Sequence, residues 1–224
     1  GFYPLYEHGN YHPERVVEAL GERFSIADLS IKPYPCCRMT HSAIDAAMKL
    51  KERVGSVDNI ERIDVSVSSM VTEMVGKPFQ IGENPQVDAQ FSIPYTTACA
   101  LVRGDVFLQD FEADSISDPT VKRLADRITV STDPDLPAKD ILQSEMTVIR
   151  YDGKVFSERV PVPLGNPLNP MSAGQCREKF AKCIDYSGLP ITGETQNELI
   201  SMIENLESVS DVTDLVRAMA RSEE

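Results

Sequence analysis

Basic residues, histidines and long apolar runs are all scarce in this sequence, and each shortage removes a class of function. Twenty-two Lys and Arg stand against 35 Asp and Glu, a formal net charge of −13. Nucleic acid is held mainly by clustered Lys and Arg, so no nucleic-acid partner is expected. A small anion is still admissible, because a basic pocket can sit within an acidic surface. The three histidines and five cysteines (Cys36, Cys37, Cys99, Cys176, Cys183) show no metal-ligand spacing, so no metal is expected. An odd, irregular set of thiols reads as reduced cysteine in a cytoplasmic protein. No glycine-rich nucleotide pattern occurs, so no cofactor is expected either. No stretch approaches the roughly 18 apolar residues of a membrane span. The start, Gly1-Phe2-Tyr3-Pro4, lacks a basic n-region and an apolar h-region, so no signal peptide is expected. It also lacks Met, which suggests that residue 1 is not a native start.

What is present is an ordinary globular composition, 42% hydrophobic and 25% charged over 224 residues, enough for one or two domains. The chain is organised around Lys32-Pro33-Tyr34-Pro35-Cys36-Cys37-Arg38-Met39-Thr40-His41 and the Ala-rich run from Ser42 to Leu50. The prolines fix φ and push Lys32 and Tyr34 toward extended backbone, predicting a stiff, non-helical lead-in. An abrupt helix over 42–53 follows, with Thr40 or Ser42 as N-cap and Gly55 as its stop. Ala43, Ala47, Leu50 and Val54 share one face, wide enough for burial under a sheet.

Either side of that stretch, the pattern assigns the remaining elements. Residues 1–10 read as irregular and aromatic-rich, 13–21 as a short helix, and 24–31 as extended. Alternation predicts strands near 60–68, 128–131, 145–151 and 154–162. Asp152-Gly153 between the last two reads as a tight type I′ turn. Residues 84–88 read as a loop and 90–103 as one helix that tolerates Pro94 in its first turn. Helices are also expected at 70–75 and 118–127, and a helix plus turn at 105–114. Residues 163–171 are too rich in Pro and Gly to be regular. From 172 the sequence turns wholly helical, at 172–186, 194–207 and 210–221. The expected fold is therefore α+β: a mixed sheet with helices 42–53 and 91–103 on one face, over 1–171, then a helical tail over 172–224.

Several side chains in the organising stretch suit a carboxylate ligand near a helix N-terminus. Lys32, between Ile31 and Pro33, is either partly buried with a lowered pKa, or charged and paired with a substrate carboxylate, or a plain solvated lysine. His41 precedes Asp45 by one helical turn, so the carboxylate could orient the imidazole; the alternative is a packing histidine. Arg38 is either a bidentate carboxylate clamp or a partner for another part of the protein. Cys36 and Cys37 are either activated thiols or small buried hydrophobes.

The same stretch resembles the C-terminal domain of the MmgE/PrpD family, which includes 2-methylcitrate dehydratases, cis-aconitate decarboxylases and iminodisuccinate epimerases. The resemblance continues through Asp88-Ala89-Gln90-Phe91-Ser92-Ile93-Pro94-Tyr95, Tyr151-Asp152-Gly153-Lys154, and Gly165-Asn166-Pro167-Leu168-Asn169-Pro170-Met171-Ser172 to Lys179-Phe180. It implies a cofactor-independent lyase or isomerase that abstracts a proton next to a carboxylate of a small di- or tricarboxylic acid, on the pattern of 2-methylcitrate dehydratase. It places Lys32 in the cleft between two domains, gives Lys32 and His41 acid–base roles, and makes Arg38 and Cys37 substrate-binding. Where the decarboxylase branch carries a functional histidine, this chain has Cys37, leaving Cys37 or His41 to supply that group. The family's N-terminal helical domain, on the same or a separate chain, would complete the site and cover the tail. Its absence here implies that this chain alone is inactive and pairs as a homodimer. A non-catalytic dimerisation or partner-binding module is the rival expectation.

Overall fold

A computed structural model describes residues 1–220. The chain divides into two compact units, Gly1–Ser30 and the part from Ile31 onward. In the first unit, α1 (Phe2–Tyr6) and α2 (Glu14–Val17) are short helices, and a 3-10 turn covers Ser25–Asp28. The expectation of irregular backbone at 1–10 and extended backbone at 24–31 is thus corrected. Phe2 and Tyr6, one turn apart with rings 4.9 Å from each other, favour a helical turn at the start. Helix α2 ends well before Gly21 because Glu18 is already extended, with ψ 127°. No residue of this unit is buried.

The second unit runs α3 (His41–Val54), β1 (Ile60–Val67), α4 (Ser69–Val75), α5 (Pro85–Gln90), α6 (Ile93–Arg103), α7 (Ala113–Ile116), α8 (Pro119–Ala125), β2 (Ile128–Thr132), β3 (Ser144–Arg150), β4 (Val155–Val160), α9 (Ala173–Ser187), α10 (Gly193–Glu204) and α11 (Thr213–Met219). The fold is α+β, with a four-stranded mixed sheet in the order β2-β1-β3-β4. Strands β1 and β2 are parallel, joined by the helical crossover α4–α8, and the other pairs are antiparallel. Ile63, Val65 and Val67 of β1 face the same way as Met146 and Val148 of β3, and all are buried. The opposite face carries polar pairs such as Thr147 and Ser157, whose hydroxyls lie 3.0 Å apart. Helix α3 lies on β3 and β4, α6 packs beside it against β2, and α8 backs α6, so the expected helices do cover one face.

Local sequence chemistry explains where the observed bounds depart from the expected ones. Residues 84–88 are not a loop: the Asn84 side chain caps α5 and Pro85 occupies its first turn. The helix expected over 90–103 is therefore broken, and Ser92 caps a new one by accepting from the Tyr95 N–H at 3.2 Å. In the β3–β4 hairpin only Gly153 takes positive φ, 79°, so the turn is not type I′. It is the longer form, closed by Gly153 N–H to Arg150 O and Arg150 N–H to Lys154 O, each at 2.9 Å. Strand β4 stops at Val160 because Pro161 and Pro163 cannot donate to a ladder.

The tail is helical as expected, with Ser172 and Gln175 forming a capping box on α9. Helix α9 is tied to the 105–112 segment through Lys182–Asp105 (2.9 Å), Tyr186 Oη to Glu112 Oε1 (2.7 Å) and the Phe107–Tyr186 edge contact. Leu199 and Ala218 bury themselves where α10 meets α11. Residue 221 of the expected last helix, and 222–224 of the tail, lie outside the described residues. Among the described residues no helix is long and apolar enough to cross a membrane.

Candidate functional site

The lead-in predicted from Pro33 and Pro35 is irregular, and a 3-10 turn at Arg38–Thr40 carries it into α3. Two neighbours hold it from different sides. The Ile31 N–H donates to Gly165 O (2.9 Å), and the Cys37 N–H donates to Gln90 O (2.9 Å). Gln90 Nε2 adds a bond to Pro35 O at 3.1 Å. Thr40 occupies the N-cap of α3, but its hydroxyl donates to Cys37 O at 2.9 Å instead of capping the helix.

Lys32 reaches the Cys36 carbonyl, and Arg38 and His41 are joined to each other at the start of α3. The burial considered for Lys32 is not found: the residue is exposed, beside a half-exposed Ile31, and its Nζ donates to Cys36 O at 3.0 Å. Arg38 Nη1 donates to His41 Nδ1 (2.9 Å) and to Leu164 O (2.9 Å), while Nη2 reaches Pro163 O at 3.4 Å. The guanidinium thus spends much of its fork on the protein, which is the alternative to a substrate clamp. Burial lowers its pKa, with Asp45, Cys36 and Tyr34 acting against that. Among the described residues neither Lys32 nor Arg38 has a carboxylate within ion-pair distance.

His41 is fully buried at the start of α3. Because a guanidinium can only donate, Nδ1 is the acceptor and the proton sits on Nε2, which is buried and makes no hydrogen bond. Burial, then the Arg38 charge, push the ring down to about 3; the Cys36 carbonyl opposes them and Lys32 adds to them. At neutral pH His41 is an uncharged N–H donor. It is oriented by Arg38 and not by Asp45, which corrects the expected His41–Asp45 pairing: Asp45 is engaged elsewhere.

Asp45 accepts from Tyr34 Oη on one oxygen and from the Leu164 N–H on the other, both at 2.7 Å. Burial raises its pKa against those two bonds. Burial, followed by Asp45, also pushes the Tyr34 phenol well above its usual range, and its ring lies edge-on to His41 at 5.2 Å. Tyr34 and Gly165 stand in the marked stretches, but no role for them or for Leu164 is readable from sequence. An acidic residue among the buried alanines of a helix was the available sign that a partner must exist. Of the thiols, Cys36 is buried, sits 3.1 Å from Thr40 Oγ1, and is pushed up to about 12 chiefly by burial, so it is a packing residue and no nucleophile. Cys37 is half-buried against the core.

Two clefts flank Tyr34, Met48 and Leu164. One, of about 280 Å³, is bordered by Asp105, Phe107 and the α9 residues Lys179 and Lys182. The other, of about 640 Å³, is bordered by Asp45, Lys49 and Val160–Val162. Neither is lined by Lys32, Arg38 or His41. Among the described residues no group of three or more His, Cys, Asp or Glu is placed to hold a metal ion.

The chain is similar to "Cis-aconitate decarboxylase" of Mus musculus, 26% identical over 98% of this chain and 45% of the relative. It is 27% identical to the Homo sapiens protein of that name over 82% of this chain and 38% of the relative. It is also 27% identical to "Cis-aconitate decarboxylase-like protein oryM" of Aspergillus oryzae over 96% of this chain and 46% of the relative. The chain thus spans about half the length, or less, of these curated relatives. The profile of the MmgE/PrpD C-terminal domain matches residues 34–207, which takes in α3, the whole sheet and the tail through α10, and the chain belongs to that family.

Proposed function

We propose that the chain is the C-terminal portion of a cofactor-independent cytoplasmic lyase that acts on a small di- or tricarboxylic acid at a carbon next to a carboxylate. One observation carries the reading: Lys32 and Arg38, neither with a carboxylate within ion-pair distance among the described residues, stand beside a buried, uncharged imidazole. Loss of CO₂, water or a proton at such a carbon passes through extra negative charge on the adjoining carboxylate, which fixed donors and cations stabilise. Lys32, exposed and with three N–H donors of which one meets the Cys36 carbonyl, is the group to meet substrate and move a proton. His41, fully buried and uncharged, backs the Arg38 guanidinium from behind, and the Arg38 charge draws the anion while its fork stays on the protein. Cys37 sits at the same turn as a substrate-side neighbour. Decarboxylation of cis-aconitate is the first reaction to test because the relatives bear that name; dehydration of 2-methylcitrate and epimerisation of iminodisuccinate follow.

The test supplies the family's N-terminal helical domain, fused or as a separate chain, and follows the three acids by NMR. Turnover is expected with both parts present, and Lys32→Ala is expected to cut it about 10²–10³-fold. No turnover of any of the three sinks the reading. A second reading, a module for pairing with that domain or with a second copy, is favoured by the exposed apolar side chains of the tail, Val212 and Val216 at 62% each among them. Sedimentation of the isolated chain as a symmetric dimer that dissolves on adding the N-terminal domain would favour it.

A further inference from the structure

Bonds that this functional reading leaves unused join residues 31–45 to the loop at 163–169. The Leu164 peptide is gripped at both ends: its N–H donates to Asp45 Oδ2 at 2.7 Å, and its carbonyl accepts from Arg38 Nη1 at 2.9 Å. The next carbonyl, that of Gly165, accepts from the Ile31 N–H at 2.9 Å. The loop is closed on itself through Gly165 N–H to Asn169 O and Asn169 N–H to Asn166 O, each at 2.8 Å. Gly165 has φ +81°, a region that L side chains avoid, and any Cβ there would run into the Ile31 carbonyl oxygen and crowd Pro33 Cδ at 3.2 Å. No other residue lets the two backbones come this close.

Lys32 lies between two fixed points. On one side is the Ile31–Gly165 bond; on the other are the rigid prolines and the Cys37–Gln90 bond. We propose that Arg38, Asp45 and Gly165 form a clasp that positions Lys32, fixing the lead-in on the 163–169 loop so that the lysine amine reaches the Cys36 carbonyl. They are positioning residues, not substrate contacts. The clasp rests on the functional reading only in giving Lys32 a substrate-facing role. Charge makes it firm, because hydrogen bonds from a guanidinium and to a carboxylate are about twice as strong as neutral ones. Arg38 and Asp45 are never in direct contact; the loop peptide is held between them.

The experiment measures amide exchange at Ile31 and Leu164 and the ¹³C signal of the reductively methylated Lys32 amine, with Lys49 and Lys154 as internal references. In Arg38→Gln and Gly165→Ala the Ile31 and Leu164 amides are expected to exchange together, faster by roughly ten- to a hundredfold. The Lys32 signal should move while the references stay. Arg38→Lys, which keeps one of the two carbonyl bonds, should fall between. If Gly165→Ala does not fold, Asp45→Asn decides, with the same joint rise expected at Leu164 and Ile31. A merely stabilising junction would lower the melting temperature and leave the native Lys32 signal in place. Leu164 exchange rising with Ile31 and Lys32 unchanged overturns the clasp. A parallel titration with cis-aconitate, run with the family's N-terminal helical domain present, judges the functional reading by itself: no binding there counts against that reading and leaves the clasp to the amide and amine signals.

Discussion

Helices α3 and α9 are nearly equal in length, 14 and 15 residues, yet α3 buries nine of its residues and α9 only Ile184. Intrinsic helix signals point the other way. Helix α9 has a reciprocal capping box at Ser172–Gln175 and a left-handed glycine stop at Gly188, whereas α3 has no side-chain cap at all. What α3 has is cover. Strands β3 and β4 lie under it, α6 lies beside it, and Ala43, Ala46 and Ala47 let those neighbours approach closely. Helical stability in proteins comes mostly from packing an apolar face, so the better-capped helix is the less buried one. Part of the chemistry follows the cover: His41 and Asp45, both shifted chiefly by burial, are on α3, while Tyr34 and Cys36, shifted by the same cause, lie in the lead-in just before it.

The comparison breaks first at the ion pairs. Arg103 of α6 pairs with Asp110, which is 2% exposed and also accepts from the Phe107 N–H, while Lys182 of α9 pairs with Asp105 at 2.9 Å, with both side chains about 40% exposed. Asp110→Ala leaves a part-buried guanidinium short of a partner and is expected to cost about 3–5 kcal/mol in urea unfolding. Lys182→Ala is expected to cost at most about 1 kcal/mol. Equal losses would mean that the tail is held as firmly as the core.

Packing gives the next contrast. Leu50 of α3 is fully buried and Val216 of α11 is 62% exposed. Leu50→Ala should lose about 2–5 kcal/mol, through lost burial plus the cavity left behind. Val216→Ala should stay within about 0.5 kcal/mol in the isolated chain. A larger loss at Val216 that grows with protein concentration would show that a second copy covers the tail.

Elements with a strong period or a rigid residue were readable from sequence, and those fixed by distant partners were not. The strands near 60–68 and 145–151 alternate so plainly that sheet and buried face follow from them, and Pro33 and Pro35 impose the lead-in without help. By contrast, α5 hangs on one Asn84 cap in a segment whose composition reads as loop. At the site, the residue types near a helix start pointed to anion chemistry. One of the two partners of Asp45 could not be read, because it is the backbone N–H of Leu164, 119 residues away; the other, the Tyr34 hydroxyl, lies within the organising stretch. The same holds for Arg38, whose carbonyl acceptors carry no side-chain signature. Position in sequence suggested His41 with Asp45; the fold instead gave each a different partner.

Acid sharpens the contrast between a buried histidine and a solvated one. In the unfolded chain an imidazole takes its proton near pH 6.5, and in the fold His41 does so only near 3. Between those values the unfolded state binds the extra proton, so stability is full above about 6.5 and falls as the pH drops toward 3. The His41 contribution to that slope is about 1.4 kcal/mol per pH unit. The raised pKa of Asp45 works oppositely in the lower part of the window, because there the fold binds the proton first. The groups facing the ring are Arg38, Lys32, Tyr34 and Cys36. Urea midpoints at pH 6.5, 5.5 and 4.5 should decline in the parent and decline less in His41→Gln. Parallel slopes in the two proteins would remove His41 from the account.

A small effect is also expected between the tail helices themselves. Arg177 of α9 meets Glu204 of α10 in a two-pronged pair, with Nε to Oε1 at 2.8 Å and Nη2 to Oε2 at 2.7 Å. Its geometry is better than that of the Arg38 contacts, yet both side chains are about half exposed. Water screens such a pair and ordering two long side chains opposes it, so Arg177→Ala is expected to cost about 0.2–1 kcal/mol. That difference should shrink further in 1 M salt, where the screening length is about 3 Å. The pair also borders an apolar groove formed by Cys176, Phe180, Ile200 and Ile203. If another chain covers this groove, the same bond is desolvated and its loss becomes costly. Comparing Arg177→Ala in the isolated chain and after adding the family's N-terminal domain therefore tests whether that domain covers the tail. A cost unchanged between the two would show that α9 and α10 make no interface with it.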